Sequence, residues 1–128
     1  MSRSLNDLSD RMRPRVFEFL ARLTEAQIPV AIVDTLRTVE EQAQNVFKGV
    51  SWTMNSKHLT GDAIDVCPWA TWDAHGPDKL NWDASDPVWQ RIGKIGEACG
   101  LLWGGRWQKT PDLGHFEYRP TPVTGHAA

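Results

Sequence analysis

The stretch SKHLTGDAIDVCPW, residues 56–69, decides how this chain is read. Ala63-Ile64-Asp65-Val66-Cys67 has the composition of a strand, and the loop before it carries Ser56, His58, Gly61 and Asp62. On a strand, alternate side chains leave opposite faces. Ile64 and Val66 therefore point one way and Asp65 the other, toward whatever the preceding loop brings over. A carboxylate placed there is costly to bury unless something compensates it. His58, seven residues earlier, is the nearest chemically suitable group, and Gly61 argues against one helix carrying both.

Outward from this strand, both sides alternate between helical and strand patterns. Toward the N-terminus, Leu5–Met12 reads as a short helix, and Pro14 suits the first turn of a second. Val16, Phe19, Leu20 and Leu23 then form one apolar stripe. Pro29–Asp34 reads as a buried strand. Thr38 and Glu41 have capping-box spacing, opening a helix with Val39, Ala43, Val46 and Phe47 on one face. Residues 48–62 read as loop.

Toward the C-terminus, residues 68–86 read as a long polar loop with Trp69, Trp72 and Trp82. Asp86-Pro87 begins a helix with Val88, Ile92, Ile95 and Cys99 on one face, stopped at Gly100. Leu101-Leu102-Trp103, a Gly104-Gly105 turn and His115–Tyr118 suggest a closing hairpin. The tail after Pro120 reads as frayed. The order predicts an α+β fold, a small central antiparallel sheet flanked by helices. At 128 residues it is read as a single domain, 1–128, with its core in about 14–119.

Composition excludes several functions. With 41% hydrophobic residues, 23% charged residues and a formal net charge of -2, nothing indicates nucleic-acid binding. No segment approaches a membrane span, and the first residues lack the apolar core of a signal peptide, so synthesis and folding in the cytosol are expected. Cys67 and Cys99 match no CxxC spacing and read as buried free thiols. The oddity is seven tryptophans. Trp89 reads as core, whereas Trp69, Trp72, Trp103 and Trp107 are either core or the lining of a groove for glycan or peptide.

A neutral imidazole and a carboxylate are both good zinc ligands, and a catalytic site takes three protein ligands with a position left open. His115, in PDLGHFEY, is the best third candidate because it enters a strand able to lie beside the first. His75 and His126 read as exposed. Two histidines and one aspartate leave zinc with net positive charge, which lowers the pKa of bound water from about 15.7 toward roughly 7. Amide hydrolysis also needs a base. Asp112, three residues before His115, is near enough in a turn, and Arg37 can stabilise an oxyanion or pair with Asp34 or Glu41.

SKHLTGDAID fits the SxHxxGxAxD pattern of the LAS metallopeptidases, and DLGHFE resembles their second motif. DTLRTVEEQ resembles the segment carrying their active-site arginine. The likeness covers about Arg37 to Tyr118 and looks nearest to the VanY-like branch, which includes phage endolysins cleaving the L-alanyl-D-glutamate bond of peptidoglycan. It implies His58, Asp65 and His115 as ligands of Zn2+, Asp112 as general base and Arg37 as electrostatic stabiliser. It also implies Ser56 as a supporting or substrate contact, not a nucleophile. Two positions depart from the pattern: Arg106 follows the Trp-Gly-Gly segment, and Gly114 precedes the last histidine.

Glu117 reads either as a residue orienting a ligand or as an exposed strand acid, and Asp62 as a turn residue. The expected partners are peptidoglycan stem peptides, met by a monomer without a separate wall-binding domain. Release to the cell wall through a holin-type pore is implied by the resemblance. Two rival readings are a D-alanyl-D-alanine carboxypeptidase or dipeptidase, with Arg37 or Arg106 holding the terminal carboxylate, and a non-catalytic wall-binding module with a closed metal site.

Overall fold

The computed structural model describes residues 2–49, 56–71 and 79–120, with Thr71 by its backbone alone. Trp52, Trp72, His75, His126 and the tail beyond Pro120 lie outside the described residues. The element order is α1 (Arg13–Glu25), β1 (Val30–Asp34), α2 (Val39–Phe47), β2 (Ala63–Thr71), β3 (Lys79–Leu80), α3 (Val88–Ala98), β4 (Leu101–Trp103) and β5 (His115–Tyr118). All strand pairings are antiparallel, in the order β1-β2-β5-β4, with β3 against the far end of β2. This is the expected α+β architecture.

The two faces of the sheet have different work. Ile64, Val66 and Phe116 are fully buried beneath Met12, Val16, Phe19 and Leu23 of the N-terminal segment and Ile92 of α3. Phe19 meets Phe116 at 4.6 Å between ring centroids. Burial of such a side chain is worth about 1.5–3 kcal/mol, so this layer holds the domain together. Cross-strand partners share a face. Asp65 pairs with His115, and Ala63 with Glu117, so the polar residues of β2 and β5 emerge together on the side away from this core.

Several expectations need correction. Leu5–Met12 is not one helix; Leu5–Asp7 forms a 3-10 turn capped by Ser4, and the chain turns again before α1. Strand β1 is half-buried, because among the described residues it is an edge strand paired with β2 alone. The chain from 68 to 86 is not all loop, since β2 runs on to Thr71 and β3 pairs with it. Helix α2 has its capping box, but Val39 and Phe47 are 61% and 89% exposed. The residue it buries is polar: Gln42. Trp103 is core, stacked on Phe116 with its Nε1–H donated to Leu113 O, and does not line a groove.

Asp62 is more than a turn residue. It is 4% exposed and accepts from Arg11 Nε and Nη2 at 3.0 and 2.8 Å, from Ser9 Oγ and from Thr60 Oγ1. The Arg11 guanidinium, then the two hydroxyls, hold its carboxyl far below the usual carboxylate range. Next to it, Gly61 sits at φ 75°, and a Cβ there would come within 2.8 Å of Asp7 O. These contacts fasten the N-terminal segment to the loop bearing His58.

Asp62→Ala should therefore cost about 1–3 kcal/mol, the penalty of orphaned donors. With a depressed folded pKa, the stabilisation is fully present above the unfolded value of about 3.9 and lost as pH falls below it. Urea melts of both proteins from neutral pH to pH 3 should converge as the pH falls.

Candidate active site

Local structure aims each of three side chains at one point. Ser56 caps the 3-10 turn Lys57–Thr60, its Oγ accepting from the His58 N–H at 3.2 Å. That turn ends at Gly61 in the left-handed region, which releases the chain into β2. His58 is 1% exposed, and its Nδ1–H donates to Thr35 O at 2.7 Å. A carbonyl can only accept, so the tautomer is fixed and the Nε2 lone pair faces inward. There Nε2 lies 3.1 Å from Asp65 Oδ1 but has no hydrogen-bond partner.

On β5, His115 Nδ1 lies 3.0 Å from the same Asp65 oxygen, and its Nε2 lies 2.9 Å from Glu117 Oε1. The possible ligand atoms of His58, Asp65 and His115 all fall within 4.8 Å of one another. An imidazole lone pair buried against a carboxylate oxygen is unfavourable unless a cation sits between them. The donor set, two imidazole nitrogens and one carboxylate oxygen, fits a metal ion of the zinc type. Thr35 O and Glu117 orient the two rings from behind, as outer partners of metal-bound histidines do.

Without a cation, protons take its place. Burial opposes charge on His115, but Asp65 and Glu117 overcome it and raise the imidazolium pKa to about 9. Burial likewise opposes the Asp65 carboxylate, and the contacts with His115 and His58 hold it well below its ordinary range. A metal ion at His115 Nδ1 must displace that proton. Metal binding should therefore release close to one proton at pH 7, tailing off as pH rises through 9. Calorimetry in buffers of different ionisation enthalpy measures this. The sign for metal-free stability is the reverse of the Asp62 case: the His115 contribution is full below pH 6.5 and lost through about pH 9.

Arg37 enters from the turn after β1. Its Nε donates to Asp34 Oδ2 at 2.9 Å, its Nη2 donates to the same oxygen, and its Nη1 donates to Gln42 Oε1 at 2.6 Å. These bonds use three of its five N–H groups. Nη2 also lies 3.7 Å from Asp65 Oδ2. The Asp34 pairing weighed from sequence is present together with an approach to the site, while Glu41 instead completes the α2 cap. Burial pushes the Asp34 carboxyl up and Arg37 pulls it back.

Asp112 stands on the turn leading into β5. The residue is exposed overall, yet its carboxyl is crowded enough that burial, and then the negative charge of Asp65, raise its pKa. The Gly114 N–H and the two histidines work in the opposite sense. Half-buried Trp107 packs at 5.0 Å between centroids against the His115 ring, on the rim. Arg106 is committed elsewhere, donating to Glu97 at 2.9 and 3.0 Å and lying over Trp103. Sequence reasoning weighs the Asp34 pairing only as a rival to a role for Arg37 in the site, and misses Gln42 altogether. The spacing of Asp34 to Arg37 is a faint signal, and nothing in hydropathy points to Gln42.

A family model described as phage L-alanyl-D-glutamate peptidase matches residues 1–126. The L-alanyl-D-glutamate peptidase of Listeria phage A118 is 35% identical over 122 residues, 91% of this chain and 41% of that protein. That of Escherichia phage T5 is 32% identical over 103 residues, 74% of this chain and 71% of its own length. Thus the chain spans well under half of the first relative and most of the second. Among solved structures, the L-Ala D-Glu endopeptidase ChiX of Serratia marcescens aligns with a TM-score of 0.63 at 25% identity, covering 89% of this chain and 82% of that one. The LdcB LD-carboxypeptidase aligns with a TM-score of 0.58 over 87% of this chain and 65% of that chain; at 15% identity this likeness is one of fold. The motifs that converge on Asp65 thus lie in a chain matched almost end to end, and it belongs to the phage L-alanyl-D-glutamate peptidase family.

Proposed function

We propose that this chain is a zinc-dependent peptidase that hydrolyses the L-alanyl-D-glutamate bond of peptidoglycan stem peptides, as a phage endolysin. The observation that carries the reading is the buried, partnerless His58 Nε2 facing Asp65 and His115. The names of the relatives supply the substrate class.

When held by His58, Asp65 and His115, zinc supplies Lewis acidity toward water and a peptide carbonyl. The chain's own residues then divide the remaining work. Asp112, on the turn that leads into His115, takes the proton of the attacking water and delivers it to the leaving amine of D-glutamate. Arg37, kept rigid by Asp34 and Gln42, offers its remaining N–H groups to the negative charge that develops on the carbonyl oxygen. Glu117 and Thr35 O hold the histidine rings at fixed angles, and Ser56 supports the His58 turn. Trp107 gives the rim a flat apolar wall beside His115. The same reading has a monomer acting on the cell wall after release from the cytoplasm through a holin-type pore. Among the described residues no helix is long and apolar enough to cross a membrane.

The test is to incubate isolated Gram-negative sacculi with the protein, with and without zinc or chelator, and to identify the new ends by mass spectrometry. New L-alanine carboxyl and D-glutamate amino ends that vanish with chelator are expected. Free D-alanine would assign the site to a carboxypeptidase instead, and binding without cleavage would sink the catalytic reading.

A further inference from the structure

A second concave feature lies at the other end of β2. Gln27, Trp69, Asn81, Asp86 and Arg91 contribute to a cavity of about 410 Å³, within the range of small-molecule sites. Trp69 is four residues from Asp65 on the same strand, about 13 Å at the usual rise. The mechanism proposed above uses none of these residues.

Three observations give the cavity a chemistry. The first is strain. Gln27 follows α1 at φ 60°, the sole non-glycine residue with positive φ among those described. Its N–H reaches Thr24 O and the Ile28 N–H reaches Leu23 O, a helix ending that normally selects glycine. A glutamine standing where glycine fits better, at a position that lines the cavity, points to a use for the amide.

The second observation is a presented aromatic. Trp82 directly follows Asn81 of the cavity wall and is 59% exposed, stacked on buried Trp89 at 6.2 Å. Its loop is rigid: Asn81 Oδ1 accepts from the Asp83 N–H, Asp83 Oδ1 from Ser85, and Asp86 from both Asn81 Nδ2 and the Val88 N–H. An indole held out on a braced loop costs little entropy when it binds.

The third is charge. The Asp86 carboxylate is already satisfied on both oxygens, and exposed Arg91 makes one long contact with Ala26 O at 3.4 Å. A ligand here meets the exposed Trp82 indole, the Gln27 amide and guanidinium N–H donors, with one charge of each sign, Asp86 and Arg91, in the lining. That combination suits a neutral ring rich in hydroxyl and acetamido groups.

We propose that this cavity together with Trp82 binds the glycan strand of peptidoglycan, taking N-acetylated amino sugars next to the stem peptide being cut. The proposal rests on the peptidoglycan reading above. Its advantage is physical: two linked contacts on one polymer raise the effective concentration of the scissile bond at the zinc site.

The full chain would be titrated with a soluble tetramer of N-acetylglucosamine while the tryptophan indole N–H resonances are followed. Shifts confined to Trp69 and Trp82 are expected, with binding weakened roughly tenfold by Trp82→Ala or Arg91→Ala. Gln27→Gly should weaken binding while its Tm holds or rises, which separates loss of a contact from loss of fold. On sacculi these variants should raise KM and leave kcat unchanged, with unchanged kcat/KM on a free stem peptide lacking sugar. Absence of indole shifts, or an equal loss on sacculi and on free peptide, would overturn the proposal. Tetramer binding by a protein inactive on every wall substrate would overturn the peptidase reading and uphold glycan binding.

Discussion

His58→Ala is expected to lose zinc and activity together while the fold persists. His58 supplies the buried lone pair at the site and reaches it through a single fixed tautomer, its other nitrogen being spent on Thr35 O. Removing it leaves two protein ligands, with Asp65 and His115 able to pair with each other and retain the His115 proton. The lost Lewis acidity is worth several kcal/mol of transition-state stabilisation, so hydrolysis should fall by about 10³-fold or more. Zinc per chain after dialysis should drop from near one toward zero. Glu117→Gln provides the graded comparison. It keeps all three ligands but weakens the bond that orients His115, and should cost about 10–100-fold in zinc affinity. Full activity of metal-stripped His58→Ala would remove the metal from the mechanism.

Much of this site is legible in the sequence because its residues sit on elements with strong local signals. The period-2 pattern of Ala63 to Cys67 fixes the face that Asp65 takes, and the short segment Asp112 to Tyr118 fixes His115 beside it. Helix α3 announces itself through Ile92 and the stop at Gly100, which adopts φ 81°. What stays hidden depends on burial that hydropathy does not encode. Helix α2 turns its apolar residues outward and buries Gln42, because the group it must cover is the Arg37 guanidinium rather than a hydrocarbon layer. Asp62 resembles turn material because its partners, Ser9 and Arg11, lie more than fifty residues away in sequence. The length of β2 is obscured for a similar reason: Pro68 interrupts the pattern, yet the strand continues because β1 and β3 pair with it on either side.

Asp112→Asn should leave zinc in place and cut hydrolysis by about 10²–10⁴-fold, the range for a removed general base. Asparagine has the shape of aspartate and leaves the backbone bonds of the turn, Asp112 N–H to Gly104 O and His115 N–H to Asp112 O, untouched, so the turn into β5 should survive. It cannot take a proton from water at neutral pH. This variant separates two roles open to Asp112. As a base it is dispensable for the metal, and zinc content should equal that of the parent protein. As a fourth ligand closing a structural site, its loss should lower zinc content as well, with no activity in either protein. The pH profile sharpens the distinction. In the metal-free site burial and the charge of Asp65 raise the Asp112 pKa, whereas a cation held by Asp65 acts in the opposite direction, and Asp112 works as a base only above its own pKa. The acid limb of kcat/KM in the parent should report this carboxylate, and in Asp112→Asn that limb should vanish, leaving a low, flatter rate. An unchanged acid limb in the variant would assign the base to another group.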